Sequence, residues 1–331
     1  MARKRANIPL DVYLNARLVG RLQRETSGAI EFQYDQSWLD WEDTFPVSLS
    51  LPLREDRYAG DPVIAVFDNL LPDNDDIRKQ VAARSGADGI DPYSLLAAIG
   101  RDCAGALQFL PDGIKPGKAG EVKAKPISNE KIGEKLRNLA TAPLGIDDDP
   151  EFRISIAGVQ DKTALLWWDE KWHRPSGTTA TTHILKPQIG DRDGRDLTHS
   201  VENEHFCMRI LAELNIPVAD TDIVDFDGQI ALVVERFDRR WTSDGRLLRV
   251  PQEDCCQALS IQPTRKYQAD GGPSIAGMFE FLKGSDDPDY DQLMFLKAQM
   301  AFWLLAAIDG HAKNFSVFLY PHGGFQLTPL Y

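Results

Sequence analysis

The chain has 331 residues, of which 43% are apolar and 26% charged; this composition excludes global disorder, and the length allows two or three domains. Its net charge of −13 disfavours nucleic-acid binding by the surface as a whole, so a DNA contact needs a local basic patch or a partner protein. The basic start Met1–Arg5 is too short to form such a patch.

The sequence also carries no signal for export or for a membrane. No apolar segment follows Met1–Arg5 as it would in a secretory signal, and no apolar window is long enough to span a bilayer. The four cysteines lack C-x-x-C spacing, and the six histidines show no metal-binding spacing. We therefore expect a cytoplasmic protein with reduced thiols and no membrane contact.

Residues 1–110 predict a β-rich module with some helix. Short runs of alternating apolar residues indicate strands at Leu10–Leu14, Leu18–Leu22 and Ile30–Tyr34. Phe45–Leu53 contains two prolines and is typical of an edge strand. The rest of the module is predicted as two helices and a returning strand: Asp75–Ala83, Pro92–Ile99 with Gly100 as its stop signal, and Cys103–Leu110.

Residues 111–150 predict a linker that contains one helix. Pro and Gly residues are frequent before an amphipathic segment, Asn129–Leu139, and an acidic run, Asp147–Pro150, follows it. No internal repeat is visible, so the modules on either side are different units.

Residues 151–240 predict a second module with the element order of a protein-kinase small lobe. The order is strand, loop, strand, strand ending in a lysine, helix, strand, strand and connector. The predicted elements are Phe152–Ile156, Thr163–Trp168, a strand ending at Thr182–Pro187, a helix at Ser200–Leu214, and strands at Thr221–Val224 and Ile230–Val234. Residues 241–331 then predict the start of a helical large lobe, with an apolar helix at Tyr290–Ala307.

An acid and an amide five positions apart follow that apolar helix. Asp309 and Asn314 have the D-x-x-x-x-N spacing of a protein-kinase catalytic loop, and a strand-like run, Phe315–Tyr320, follows. Phosphoryl transfer depends on positioning and on neutralising charge, so one carboxylate must reach the nucleophile while an amide oxygen reaches Mg²⁺. The spacing alone is common, and antibiotic kinases that act on small molecules share it.

Other candidate residues keep two interpretations when each is considered alone. Lys186, at the end of a strand, can bridge ATP phosphates and pair with Glu202 or Glu204, or it can be an edge lysine whose amine reaches solvent. The Ser155–Lys162 loop can cover phosphates with its backbone N–H groups, but with Gly158 as its only glycine it can equally be an ordinary hairpin. The segment Glu235–Asp238 is either an adenine-binding connector or a charged strand end on the surface.

Taken together, these residues resemble the HipA family, the kinase toxins of type II toxin–antitoxin pairs. The resemblance extends from about residue 8 to the end of the chain and implies an α+β, protein-kinase-like (HipA-type) fold with an N-terminal β-rich subdomain. Seven blocks carry it in order: F-D-N-L-L-P at 67–72, G-R-D-C-A-G-A-L at 100–107, S-I-A-G-V-Q-D-K-T-A-L at 155–165, T-T-H-I-L-K at 181–186, E-R-F-D-R-R at 235–240, R-V-P-Q-E-D at 249–254 and D-G-H-A-K-N-F-S-V at 309–317.

The resemblance implies a serine/threonine kinase that uses Mg·ATP, and it gives roles to particular positions. Asp309 matches the catalytic base, Asn314 the metal ligand and Ser155 an autophosphorylation site. Other positions match nucleotide-binding residues. The resemblance implies phosphate contacts for Ala157, Gly158, Val159, Gln160, Asp161, Lys162 and Lys186, an adenine-binding connector of Glu235, Arg236 and Phe237, and a place beside the ribose for Asp238. It also implies a nucleotide and metal loop of His311, Ala312, Lys313 and Asn314, and a nucleotide contact for Tyr331.

The resemblance also implies partners: a small DNA-binding antitoxin of the HipB type, operator DNA bound mainly through it, and a substrate of the aminoacyl-tRNA synthetase type. Thr328–Tyr331 matches the context in which the family places a second metal-binding acid directly after the tyrosine. We therefore expect a shortened form with an incomplete helical large lobe and weak or no activity. The alternative function is a non-catalytic scaffold that binds the antitoxin as a corepressor.

Overall fold

The computed structural model describes residues 8–147, 151–192 and 194–331, so the basic start Met1–Arg5 and the acidic residues 148–150 lie outside the described part. The strands are β1 Leu10–Leu14, β2 Arg17–Arg24, β3 Ile30–Tyr34, β4 Tyr58–Ala59, β5 Leu107–Pro111, β6 Ala124–Pro126, β7 Thr163–Trp168, β8 Lys171–Pro175, β9 His183–Pro187, β10 Gly190–Arg192, β11 Arg195–Leu197, β12 Thr221–Phe226, β13 Gln229–Glu235, β14 Arg239–Trp241, β15 Leu247–Arg249, β16 Gln252–Asp254, β17 Ser316–Leu319 and β18 Phe325–Leu327.

Helices pack against these sheets. They are α1 Gln36–Leu39, α2 Asp61–Asp68, α3 Asp75–Ser85, α4 Pro92–Ile99, α5 Asn129–Arg137, α6 Ser200–Glu213, α7 Cys255–Ala258, α8 Ile275–Leu282 and α9 Pro288–Leu304. In the described ranges, no helix combines the length and hydropathy that a bilayer crossing needs.

The first sheet is antiparallel, with the order β4-β3-β2-β1-β5. Asn15 and Ala16 join β1 to β2, and both have positive φ values of 46° and 68°, as a two-residue type I′ hairpin requires. Helix α4 begins with Pro92 after an Asp91 cap and ends at Gly100, as its sequence predicts. This local chemistry explains why the hairpin and the helix form where they were expected.

Phe45–Leu53 is not an edge strand, and that prediction was wrong. Its backbone groups bond to side chains instead of to a neighbouring strand: Trp38 Nε1 donates to the Phe45 carbonyl at 2.9 Å, and the Tyr34 hydroxyl donates to the Leu51 carbonyl at 2.5 Å. The edge strands of this sheet are β4 and β5. Because these partners lie outside the segment, its own sequence does not reveal them.

Two other predicted strands also differ from the structure. Phe152–Ile156 is buried but pairs with no strand in the described chain; Ser155 N instead donates to the Asp102 carbonyl at 2.9 Å. The strand predicted from Cys103 begins only at Leu107, because Gly105 has a left-handed φ of 70° and its N–H donates to Asp238. Both differences arise from contacts with residues far away in the sequence.

The second sheet has the order β12-β13-β9-β7-β8-β6 and forms one side of a cleft. Strand β9 lies between β13 and β7, with Lys186 opposite Leu232. Helix α6 packs on β12 and β13. A third sheet, β16-β17-β18, forms the other side of the cleft beside α7 and α9. This arrangement of a β-rich lobe and a smaller helical part is consistent with a protein-kinase-like fold.

A buried ionic cluster joins the first sheet's module to the residues after β13. Asp102 accepts from Arg239 and Arg249 at 2.9 Å each, and Asp238 accepts from Arg236 at 2.8 Å. All five side chains are at most 4% exposed. The guanidinium groups also donate to carbonyls of the first module: Arg236 and Arg239 both reach Cys103 O, and Arg239 reaches Gly105 O.

Replacing Asp102 with Asn should destabilise the protein strongly, because it leaves buried arginines without a counter-charge. We expect a loss of about 3–5 kcal/mol in the free energy of unfolding, measured by urea denaturation. Burial alone would raise the pKa of Asp102, but Arg239 and Arg249 hold it far below 3.8. The stability that ionised Asp102 contributes is therefore fully present above about pH 3.8 and is lost only when the pH falls well below that value.

The control for this variant is Asp244→Asn, which breaks an exposed pair with Arg246. That substitution should change stability by less than about 1 kcal/mol. Equal effects of the two substitutions would contradict the importance given to the buried cluster.

Candidate functional site

A cavity of ≈ 410 Å³ lies between the second sheet and the third. It collects most of the residues that the sequence singled out from five separate stretches of chain: Ala157, Gly158, Val159, Gln160, Lys162, Lys186, Glu235, Arg236, Phe237, Asp238, Asp309, His311, Lys313, Asn314 and Tyr331. Three predicted residues, Asp161, Ala312 and Ser155, do not line it. Their suggested roles, like those of the lining residues, remain predictions.

The loop between Ile156 and β7 closes one side of the cavity. Gly158 has a left-handed φ of 104°, and a Cβ atom there would lie 2.5 Å from Lys162 Nζ. The left-handed φ favours glycine, and the absence of a Cβ atom leaves room for the Lys162 amine, which donates to the Ala157 carbonyl at 2.6 Å. Gly158 also forms a parallel bridge with Pro72 of the first module. The loop is thus held from both sides and is more than a free hairpin tip.

Lys186 of β9 pairs with Glu204 of α6, with 2.6 Å between Nζ and Oε1. The other candidate, Glu202, instead accepts from Gln188 at 2.6 Å. The two acids lie two positions apart on the helix and so point in different directions. The structure therefore selects one of the two pairings that the sequence left open, and Lys186 is not a solvent-facing edge lysine.

The segment Glu235–Asp238 lies at the end of β13 and borders the cavity. The backbone N–H of Glu235 donates to the Asp220 carbonyl at 2.8 Å, and that of Arg236 donates to the Thr182 carbonyl at 2.9 Å. The Phe237 ring contacts the ring of Tyr331, with 5.7 Å between centroids. Asp238 uses its carboxylate in the buried ionic cluster and is only 3% exposed; the place beside a ribose that the resemblance implies for it stays a prediction.

The loop after α9 presents an exposed carboxylate beside an ordered amide. The Asp309 side chain is 76% exposed, and the hydroxyl of Tyr267 donates to its Oδ1. Asn314 Oδ1 accepts from the His311 N–H at 3.2 Å. The His311 ring packs edge-on against Tyr267, with 4.9 Å between centroids. Tyr267, which the sequence analysis missed, therefore holds both the acid and the histidine.

Two further lysines line the cavity and share one carboxylate from the first module. Lys266 Nζ lies 2.9 Å from Asp73 Oδ2, and Lys313 Nζ bonds to Asp73 Oδ1. The Asp73 side chain is 9% exposed. The sequence analysis missed Asp73 and Lys266; the available signal was that Asp73 directly follows the F-D-N-L-L-P block.

Burial and neighbouring charges shift several pKa values in this cavity. Burial and, to a smaller extent, the neighbouring charge of Lys186 together lower the pKa of Lys162 to about 7. Burial alone would raise the pKa of Asp73, but Lys313 and Lys266 hold it below its usual value. The hydrogen bond to Asp309 raises the pKa of Tyr267 to about 12, so the phenol stays protonated and donates. Groups with such shifts in a cleft mark a candidate functional site.

The described part of the chain contains no group of three or more His, Cys, Asp or Glu side chains that could hold a metal ion. A fully protein-made metal cage is therefore not formed by these residues. Mg²⁺ in phosphate-transfer sites needs only one or two protein oxygens, because phosphates and water supply the rest. The amide oxygen of Asn314, which borders the cavity, fits that requirement.

The cleft lies beside a β-rich lobe. It brings a lysine–glutamate pair together with a loop that carries an acid and an amide. This combination defines a protein-kinase-like class of protein. Comparison with known families agrees with this class. The HipA N-terminal domain matches residues 10–110, and the HipA-like C-terminal domain matches residues 154–331. The chain belongs to the HipA family.

Individual relatives cover nearly the whole chain. A protein of Sinorhizobium fredii named as a kinase, Y4mE, is 37% identical over 97% of this chain and 76% of its own length. The serine/threonine-protein kinase toxin HipA of Shewanella oneidensis is 30% identical over 98% of this chain and 74% of its own length. The solved complex of Shewanella oneidensis HipA with HipB and operator DNA matches with a TM-score of 0.81 and 29% identity, over 97% of this chain and 75% of that one.

If Lys162 contacts ligand phosphates, its charge should make nucleotide binding depend on pH. Because its pKa is about 7, the ammonium is lost as the pH rises through neutrality, and the affinity for ADP should fall. An interaction of about 1 kcal/mol corresponds to a roughly fivefold change in affinity. The measured quantity is the ADP affinity of the wild type divided by that of Lys162→Gln, from titration calorimetry. We expect this ratio to be roughly fivefold larger at about pH 6 than at about pH 8.

The ionisation of ADP changes the affinity of both proteins equally, so its effect cancels in the ratio. Lys171→Gln, at an exposed position of β8, is the matched control and should give a ratio near one at both pH values. A Lys162→Gln ratio that does not vary with pH would show that the amine lies outside the phosphate site.

Proposed function

We propose that this protein is a serine/threonine kinase toxin of a toxin–antitoxin pair and that it transfers the γ-phosphoryl group of ATP to a protein hydroxyl. One observation carries the proposal: the Lys186–Glu204 pair and the Asp309–Asn314 loop line a single cavity. A small-molecule phosphotransferase is disfavoured by the family membership over residues 10–110 and 154–331.

In this mechanism the protein orients the reactants and balances charge. The Asp309 carboxylate accepts the proton of the attacking hydroxyl as the new P–O bond forms, and the bond between the γ-phosphorus and its bridging oxygen breaks to release ADP. Tyr267 donates to Oδ1 of Asp309, which leaves Oδ2 for that proton. Lys186, kept in place by Glu204, neutralises phosphate oxygens, and the N–H groups of the Ala157–Lys162 loop bind others.

Asn314 would hold Mg²⁺ when it is bound with the nucleotide, and the ion would neutralise charge on the phosphates. The Asn314 side chain is oriented for this by the His311 N–H, which occupies one direction at Oδ1. The rings of Phe237 and Tyr331 give the cavity an aromatic wall suited to an adenine.

Replacing Asp309 with Asn should remove the proton acceptor without changing the side-chain volume. We expect phosphate transfer to slow by about 10²–10⁴-fold, measured as phosphate gained in intact mass during incubation with Mg·ATP. ADP affinity should change little, since the exposed carboxylate is not needed to bind the nucleotide.

Asp289→Asn, an exposed acid in the first turn of α9, is the control and should transfer phosphate at the wild-type rate. If wild type and Asp309→Asn both gain no phosphate while the antitoxin still binds, the protein is instead a non-catalytic scaffold and corepressor. That outcome would overturn the kinase proposal.

We also propose Ser155 as the autophosphorylation site. Ser155 is fully buried and its hydroxyl donates to the Leu70 carbonyl at 2.7 Å. The residue therefore has to leave this position before it can accept a phosphoryl group. A phosphoserine carries about −1.5 to −2 charges, which a buried site next to the phosphate-binding loop does not accommodate. Phosphorylation would then keep the loop displaced and the kinase inactive.

Ser155→Ala should abolish the mass gain that marks self-phosphorylation while ADP still binds. Wild-type protein that has gained one phosphate should bind ADP at least tenfold more weakly than the unmodified protein, which titration calorimetry on the two separated forms would measure. A phosphorylated form that binds ADP normally would contradict displacement of the loop.

The proposed partners are a HipB-like antitoxin, operator DNA reached mainly through it, and a protein substrate of the aminoacyl-tRNA synthetase type. The first two are supported by the Shewanella oneidensis HipA, HipB and operator DNA complex and by the net charge of −13, which disfavours direct DNA binding. The substrate class rests on the family resemblance alone. We place the protein in the cytoplasm, where its four cysteines would stay as free thiols.

A further inference from the structure

A carboxylate from the first module reaches the catalytic side of the cavity. Asp73 lies between α2 and α3, directly before the Asn74 cap of α3, and its side chain is 9% exposed. One oxygen pairs with Lys313 and the other with Lys266 at 2.9 Å. A single buried acid therefore bridges two cations that are 47 positions apart in the sequence.

Both lysines are next to residues that the proposed mechanism uses. Lys266 precedes Tyr267, whose hydroxyl bonds to the Asp309 carboxylate, and the Lys266 carbonyl accepts from the Ala312 N–H at 3.3 Å. Lys313 precedes Asn314 in the loop itself. Holding these two lysines therefore fixes the loop directly at Lys313 and, through Lys266, fixes the neighbouring segment that carries Tyr267.

The segment that carries Asp73 is itself held against the kinase part of the chain. The Asn69 amide donates to the Ile261 carbonyl at 2.8 Å, and the Leu70 carbonyl accepts from Ser155 at 2.7 Å. Pro72 forms a backbone bridge with Gly158 of the phosphate-side loop. Contacts on the residues just before Asp73 therefore fix its position relative to the cavity.

The charge balance of the cavity shows what Asp73 contributes. Four lysines line the cavity: Lys162, Lys186, Lys266 and Lys313. Glu204 pairs with Lys186, and Asp73 pairs with Lys266 and Lys313. Without Asp73 the cavity would bind a polyphosphate at least as strongly, because it would be more positive, but the two lysines beside the catalytic loop would lose their fixed positions.

We propose that Asp73 is a positioning residue for phosphate transfer, through which the N-terminal module orders the Asp309 loop. The inference rests on the proposed kinase function. It predicts that loss of the Asp73 charge lowers the rate of transfer more than it lowers nucleotide affinity, since a displacement of about 1 Å at a catalytic group can cost about 10²-fold. A residue that only stabilised the fold would lower both together.

The test compares Asp73→Asn with wild type and with Asp11→Asn. Asp11 is the matched control because it is also a buried acid of the first module and pairs with Arg21 at 3.0 Å, but does not line the cavity. For Asp73→Asn, we expect self-phosphorylation at saturating Mg·ATP to fall by about 10- to 100-fold, with an unchanged or higher affinity for ADP in calorimetry. Asp73→Glu, which keeps the charge, should recover part of the rate.

A second readout does not depend on activity. An amine-acylating reagent, quantified by peptide mass spectrometry, should label Lys266 and Lys313 several-fold faster in Asp73→Asn than in wild type, relative to the exposed Lys283. Unchanged labelling, a transfer rate within twofold of wild type, or parallel losses of ADP affinity and melting temperature would each overturn the proposal. A wild-type protein that transfers no phosphate would refute the proposed function, while the labelling would still test whether Asp73 positions the lysines.

Discussion

The structure depends on a buried cluster of two aspartates and three arginines, in which each charge requires an opposite charge beside it. Asp102 and Asp238 lie among three arginines, and removing such ions from water is costly unless each is matched in charge and hydrogen bonding. Because Asp102 comes from the first module and the arginines follow β13, the cluster determines where the connector Glu235–Asp238 lies. The connector in turn borders the cavity, so the geometry of the site follows from this electrostatic requirement.

The N-terminal module is therefore part of the candidate site rather than an appendage to it. Its apolar core continues into the kinase part: Phe67 and Phe109 belong to the same buried cluster as Phe152 and Val317. The segment from Leu70 to Asp73 then contacts Ser155 and Gly158 before β7, and also Lys266 and Lys313. A motion of the first module would thus move residues on both sides of the cavity at once.

Much of the local structure could be predicted because its causes are local. Pro92–Ile99 has its cap, its proline and its terminal glycine within a few residues, and Thr163–Trp168 is a short, almost entirely apolar run that ends in two aromatic residues. Phe45–Leu53 and Phe152–Ile156 were mispredicted since their backbone partners, such as Tyr34 and Asp102, come from elsewhere in the chain. Apolar patterning indicates burial in such segments, but it does not distinguish a paired strand from an extended buried coil.

The sequence by itself determined the class of this protein: the order of strands and helices, the Asp309–Asn314 spacing and seven ordered motif blocks indicated a HipA-type kinase fold. Only the tertiary structure decided which of these groups meet. It paired Lys186 with Glu204 instead of Glu202, buried Ser155 against Leu70, and brought Asp73 between Lys266 and Lys313. Spacing records which residues share a turn or a face, whereas a contact between distant residues depends on how the elements pack, and that packing is set by burial and charge matching over the whole chain.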